Sequence, residues 1–96
     1  MITIETIRKT LASHKQELRT KFQVKDIGVF GSYARGEQVA VSDVDILVSF
    51  EQPIGLAFVE LADYLESLLG VKVDLVSAGA LKPKMKEYIE ADIVYV

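Results

Sequence analysis

Residues 29–48 read Val-Phe-Gly-Ser-Tyr-Ala-Arg-Gly-Glu-Gln-Val-Ala-Val-Ser-Asp-Val-Asp-Ile-Leu-Val, and their pattern decides the fold. An apolar strand runs into a Gly-Ser turn at Gly31-Ser32, and a second apolar strand opens with the pair Asp43 and Asp45. Side chains at i and i+2 of a strand point to the same face. Two carboxylates placed side by side repel each other, and a bound cation is a natural reason for such a pair. The hard cation that takes carboxylate oxygens together with substrate phosphates is Mg2+. Glycine lets a backbone approach a phosphate closely. The turn after it points the free N–H groups of a helix start the same way, with the Ser32 hydroxyl as a further donor. The turn and the acidic pair together point to nucleotide chemistry.

Working outward, residues 24–30 read as a first strand, 31–38 as a turn with a short helix, and 43–50 as a second strand. Val44, Ile46, Val48 and Phe50 fall on one face of that second strand, and Asp43, Asp45, Leu47 and Ser49 on the other. Upstream, Thr3 is placed to cap a helix in which Ile4, Ile7, Leu11, His14 and Leu18 keep helical spacing. Downstream, Pro53 and Gly55 mark a break. Leu56 to Leu69 form an amphipathic helix with Phe58, Leu61, Leu65 and Leu68 aligned, and Gly70 is its stop. Residues 71–76 read as a third strand, Pro83 opens a helix over 83–90, and 93–96 close the chain as a small strand. The expected architecture is α+β: a small mixed β-sheet with helices packed mainly on one face. The aspartates are expected on the open face.

Asp74 lies between Val73 and Leu75, so it shares a strand face with Lys72. It joins Asp43 and Asp45 if the third strand lies beside the second, and is otherwise a polar residue on a half-exposed strand. Three carboxylates could hold two Mg2+ ions about 3.5–4 Å apart, the arrangement that clamps attacking and leaving oxygens in phosphoryl or nucleotidyl transfer. Arg35 can meet a phosphate or pair with Glu37. Ser42 can brace the turn into the second strand. Lys82, Lys84 and Lys86 read as a solvated face, and Tyr33 as core or as the border of a base pocket.

The chain has 96 residues, half of them hydrophobic, with net charge −3. This suits one domain, 1–96, with one core. The acidic balance argues against a nucleic-acid binder acting through a broad basic surface. Without cysteine, and with His14 as the only histidine, thiolate sites and multi-histidine zinc sites are excluded, so a bound metal would take oxygen ligands. No apolar run approaches the roughly 18 residues that span a bilayer. The N-terminus lacks the order of a signal peptide. A cytoplasmic protein without membrane contact is the expectation.

The runs Gly31-Ser32-Tyr33-Ala34-Arg35-Gly36-Glu37 and Ser42-Asp43-Val44-Asp45-Ile46-Leu47-Val48, with the later strand aspartate Asp74, resemble the DNA polymerase β-type nucleotidyltransferase superfamily, in its minimal nucleotidyltransferase branch. The resemblance implies that Asp43 and Asp45 bind both metal ions and the triphosphate. It implies that Asp74 binds the catalytic metal and helps activate the attacking hydroxyl, and that Gly31 and Ser32 hold the β and γ phosphates. Arg35 and Ser42 join them as nucleotide-binding candidates. It further implies that AMP passes from ATP to a tyrosine of a HEPN ribonuclease toxin encoded nearby, with this chain as the antitoxin. Relatives that modify small molecules generally carry an added acceptor domain, for which this length leaves no room. The competing expectations are an antitoxin that acts by binding alone, a transferase acting on a small molecule such as an aminoglycoside, and an interaction domain with no site. Homo- and hetero-oligomers both remain open.

Overall fold

The computed structural model describes residues 2–96. Its centre is β2, Val44–Phe50, in which alternate residues Val44, Ile46 and Val48 are fully buried. Strand β1, Val24–Phe30, pairs antiparallel with β2, and β3, Val73–Ser77, pairs parallel with it on the other side. A short β4, Val94–Tyr95, adds antiparallel to β1, giving the order β3-β2-β1-β4.

Parallel neighbours need a crossover, which is usually a helix. Here it is α4, Ala57–Leu69. Leu61, Leu65 and Leu69 recur every four residues and are its buried side chains. Sequence spacing put Leu68 in that stripe. The structure leaves Leu68 half-buried and turns Leu69 inward, so the buried stripe drifts around the helix by about 40° for each step of four residues. Gly70 ends the helix at φ 70°, a conformation glycine adopts without a Cβ penalty.

The N-terminal helix expected as one piece is two: α1, Ile4–Ser13, and α2, Lys15–Phe22. The break has a local cause. The Ser13 hydroxyl donates to the Thr10 carbonyl at 2.8 Å, and His14 Nδ1 sits 2.9 Å from the same oxygen. Side chains thus occupy the acceptor that the next helical N–H would use. His14, half-buried, sits edge-on to Tyr64 at 6.5 Å. Both helices still face inward, burying Ile7 and Leu11 from one, and Leu18 and Phe22 from the other. Thr3 caps the first, accepting from the Thr6 amide.

These helices and α4 cover one face of the sheet, and their side chains join those of the three long strands in a single core. Each fully buried Leu or Ile there contributes about 1.5–3 kcal/mol relative to exposure. The opposite face is only half open, which corrects the expectation of a bare surface. Beyond β3 the chain makes a 3-10 turn, Ala78–Ala80, and then α5, Pro83–Glu90. With β4 they wall a hollow of about 310 Å³ whose floor includes Leu47 and Ser49. Leu47 is accordingly only 6% exposed. The end of that face where β2 begins stays uncovered, and the acidic residues lie there. Among the described residues no helix is long and apolar enough to cross a membrane.

Candidate functional site

Phe30, the last residue of β1, lies opposite Asp45, the second residue of β2. The chain leaves β1 through Gly31 at φ 74° and coils into α3, Gly31–Arg35. The first turn of α3 has no side-chain cap. Tyr33, 2% exposed, anchors it in the core, so this ring is packing and does not border a base pocket. Gly36, at φ 70°, closes it.

Gly31 lies against Asp45. A Cβ added to Gly31 would collide with Asp45 Oδ2 and come 3.1 Å from its Cγ. The sequence assigned this glycine to a close phosphate approach. The structure adds a second requirement, space for the carboxylate.

Across the parallel pair, Asp45 stands in register with Asp74. The conditional part of the sequence reading is therefore met: the third strand does lie beside the second. Asp43 is exposed just before β2, Asp74 is exposed, and Asp45 is half-buried between them. The Asp45 carboxyl is held above the ordinary carboxylate range, first by burial, then by the negative charges of Asp74 and Asp43, with Arg35 opposing them. Three carboxylates are thus in mutual electrostatic reach at the start of two adjacent strands.

This donor set fits a hard divalent cation. All candidate ligands are carboxylate oxygens, and a cation would relieve the repulsion that Asp45 carries. Among the described residues no group of three acidic or histidine side chains is placed to hold a metal ion by itself. A cation here would take the rest of its coordination from water and substrate phosphate oxygens, as Mg2+ usually does.

Ser42 is engaged by its own loop. Its Oγ accepts from the Val39 amide at 3.0 Å while its own N–H donates to the Val39 carbonyl at 2.9 Å. It braces the loop that delivers Asp43. Arg35 resolves toward protein partners: its Nε donates to Glu37 at 2.6 Å and its Nη1 to Asp92 at 2.8 Å. Asp92 had no signal in the sequence, since it lies 57 positions away and no local pattern links them. Lys82, Lys84 and Lys86 are solvent-exposed on and beside α5, as a solvated face would be.

The mixed sheet thus brings carboxylates to the starts of two adjacent strands and sets one of them, Asp45, against the glycine turn. The chain belongs to the nucleotidyltransferase domain family, whose model matches residues 11–96, and within it to the minimal branch. It is 53% identical over 97 residues to the protein adenylyltransferase MntA of Thermococcus cleftensis, covering 100% of this chain and 98% of that one. A solved candidate minimal nucleotidyltransferase superposes with a TM-score of 0.81 at 36% identity, covering 97% of this chain and 95% of the other. A toxin–antitoxin crystal structure with AMP-PNP superposes with a TM-score of 0.72 at 28% identity, covering 86% of this chain and 69% of that chain. The chain is a nucleotidyltransferase with an α+β polymerase β-like fold.

Proposed function

We propose that the protein is an adenylyltransferase that moves AMP from ATP to a tyrosine of a HEPN-type partner toxin, and so acts as its antitoxin. The reading rests on one juxtaposition: Asp45 is in register with Asp74 on one side and packed against the side-chain-free Gly31 on the other. The relative named as a protein adenylyltransferase and the toxin–antitoxin relative with an ATP analogue support the choice of donor and acceptor.

In this reading Asp43, Asp45 and Asp74 hold Mg2+, as one ion or two. When bound, the metal neutralises charge on the phosphate oxygens and favours deprotonation of the acceptor hydroxyl. The protein's own groups do the rest. The amides at Gly31 and Ser32 and the Ser32 hydroxyl donate to the β and γ phosphates. Arg35 adds positive charge from the same short helix. Ser42 keeps the loop before β2 in the shape that presents Asp43. The Asp74 carboxylate accepts the proton of the tyrosine hydroxyl. The phenolic oxygen then attacks the α-phosphorus in line, and pyrophosphate leaves on the side of the Gly-Ser turn.

The test uses ATP labelled at the α-phosphate, Mg2+, this protein and the HEPN-type protein encoded nearby, beside an Asp43→Asn/Asp45→Asn double variant. Label on the partner that is lost in the double variant is the expected result. A double variant that still labels the partner refutes the assignment of the aspartates. One that transfers nothing yet still neutralises the toxin shows inhibition by binding alone.

A further inference from the structure

Among the described residues the ion pairs are Arg8–Glu5, Arg35–Glu37, Arg35–Asp92 and Lys86–Glu90, and Arg35–Asp92 alone joins residues distant in sequence. It links α3, which begins at the Gly-Ser turn, to the turn between α5 and β4. The Arg35 and Asp92 side chains are 39% and 29% exposed. A pair this wet contributes little to stability. Its consequence lies in where it holds the guanidinium.

Position matters here because Arg35 is four residues after Gly31, and side chains at i and i+4 share a helix face. The Gly31 end of that face abuts Asp45. Arg35 is also near enough to Asp45 for its positive charge to oppose the upward shift of that carboxyl. A guanidinium carries five N–H donors in a fixed fork. Nε is committed to Glu37 and one Nη1 donor to Asp92. Asp92 is itself well fixed. Its N–H and that of Ile93 both donate to the carbonyl of Ile89, a residue 3% exposed. The Ile93 side chain fills the space above Gly28, where an added Cβ would come within 2.8 Å of it.

We propose that Asp92 is a positioning residue for the nucleotide turn: it holds the Arg35 guanidinium so that its remaining donors face a polyphosphate lying against Gly31 and Ser32. This rests on the reading of that turn as the triphosphate's side of the site.

The experiment measures MgATP affinity of the full chain by calorimetry for wild type, Asp92→Asn and Asp92→Glu, with melting temperature and NMR exchange of the Arg35 Nη1 protons, which Asp92 accepts, alongside. Asp92→Asn should weaken MgATP binding on the order of fivefold, the effect of losing one partly exposed charge pair. Its melting temperature should stay within a few degrees of wild type, while the Arg35 Nη1 protons exchange faster. Asp92→Glu, which keeps the charge, should restore both affinity and slow exchange. Unchanged affinity in Asp92→Asn overturns the positioning role and leaves the site reading standing. A loss that merely tracks a lower melting temperature, and that Asp92→Glu does not restore, overturns it as well. A wild type that binds no MgATP overturns the site reading, and this proposal with it.

Discussion

Replacing Gly31 with alanine tests whether the glycine is there to make room for Asp45. Two costs are separable. A Cβ residue held in the left-handed region costs roughly 1–2 kcal/mol, and Gly31 sits at φ 74°. Forcing an extra carbon into a packed site costs about 1–3 kcal/mol. The new Cβ would collide with Asp45 Oδ2, and rotating the carboxylate relieves that collision but leaves Cγ at 3.1 Å, so the Asp45 side chain must also shift by a few tenths of an ångström. The sum is about 2–5 kcal/mol. For a chain of this size each kcal/mol lowers the melting temperature by roughly 4–8 °C, so the variant should melt at least about 8 °C lower. The decisive comparison is a double-mutant cycle by urea denaturation. In an Asp45→Ala background, Cγ and Oδ2 are gone and only the conformational cost remains, about 1–2 kcal/mol. A coupling of about 1–3 kcal/mol between the two positions is expected. Additive effects, within about 0.5 kcal/mol, would refute the packing argument and leave the left-handed conformation as the glycine's only reason.

The metal-free protein should be stabilised by Asp45→Asn at neutral pH, by a few degrees on the scale of other such relieved sites. The Asp45 carboxyl is raised in the folded state by burial and by Asp74 and Asp43. Its stabilising share is therefore full below the unfolded carboxyl value and is lost as pH rises through the folded one. The gap between variant and wild type in EDTA should close on acidification, and a variant that melts lower at pH 7 contradicts the reading. Tyr64, pushed up to about 12 by burial and the Glu17 carboxylate, should appear as a late phase in a phenolate absorbance titration. That phase should vanish in Tyr64→Phe and move earlier in Glu17→Gln. Stability linked to it is present below the unfolded value near 10 and fades as pH passes about 12. Ionisation of all tyrosines together near 10 would remove the burial argument.

How much of this was legible in the sequence depends on whether the deciding interaction is local. β1 at 24–30 and α5 at 83–90 fall where the pattern put them, because an apolar strand ending at Gly31 and a proline at a helix start are local signals. The break at His14 was not legible. The spacing of Ile7, Leu11 and Leu18 continues through it, and only the contest for the Thr10 carbonyl reveals it. The acidic pair could be read from spacing alone, whereas its meeting with Asp74 depended on strand order. The pairing of Arg35 with Asp92 and the crowding of Gly31 by Asp45 exist only once separate segments have docked.

The register between β2 and β3 has one more consequence. Side chains alternate faces along a strand, so a slip of one residue exchanges them all. Shifting β3 by one place would put Val73 or Leu75 opposite Asp45 and drive Asp74 toward the hydrophobic core. The edge strand therefore proofreads its own assembly. The same alignment that seats Val73 and Leu75 against the core delivers Asp74 to Asp45, so a mispaired molecule loses its buried contacts and its acidic cluster together.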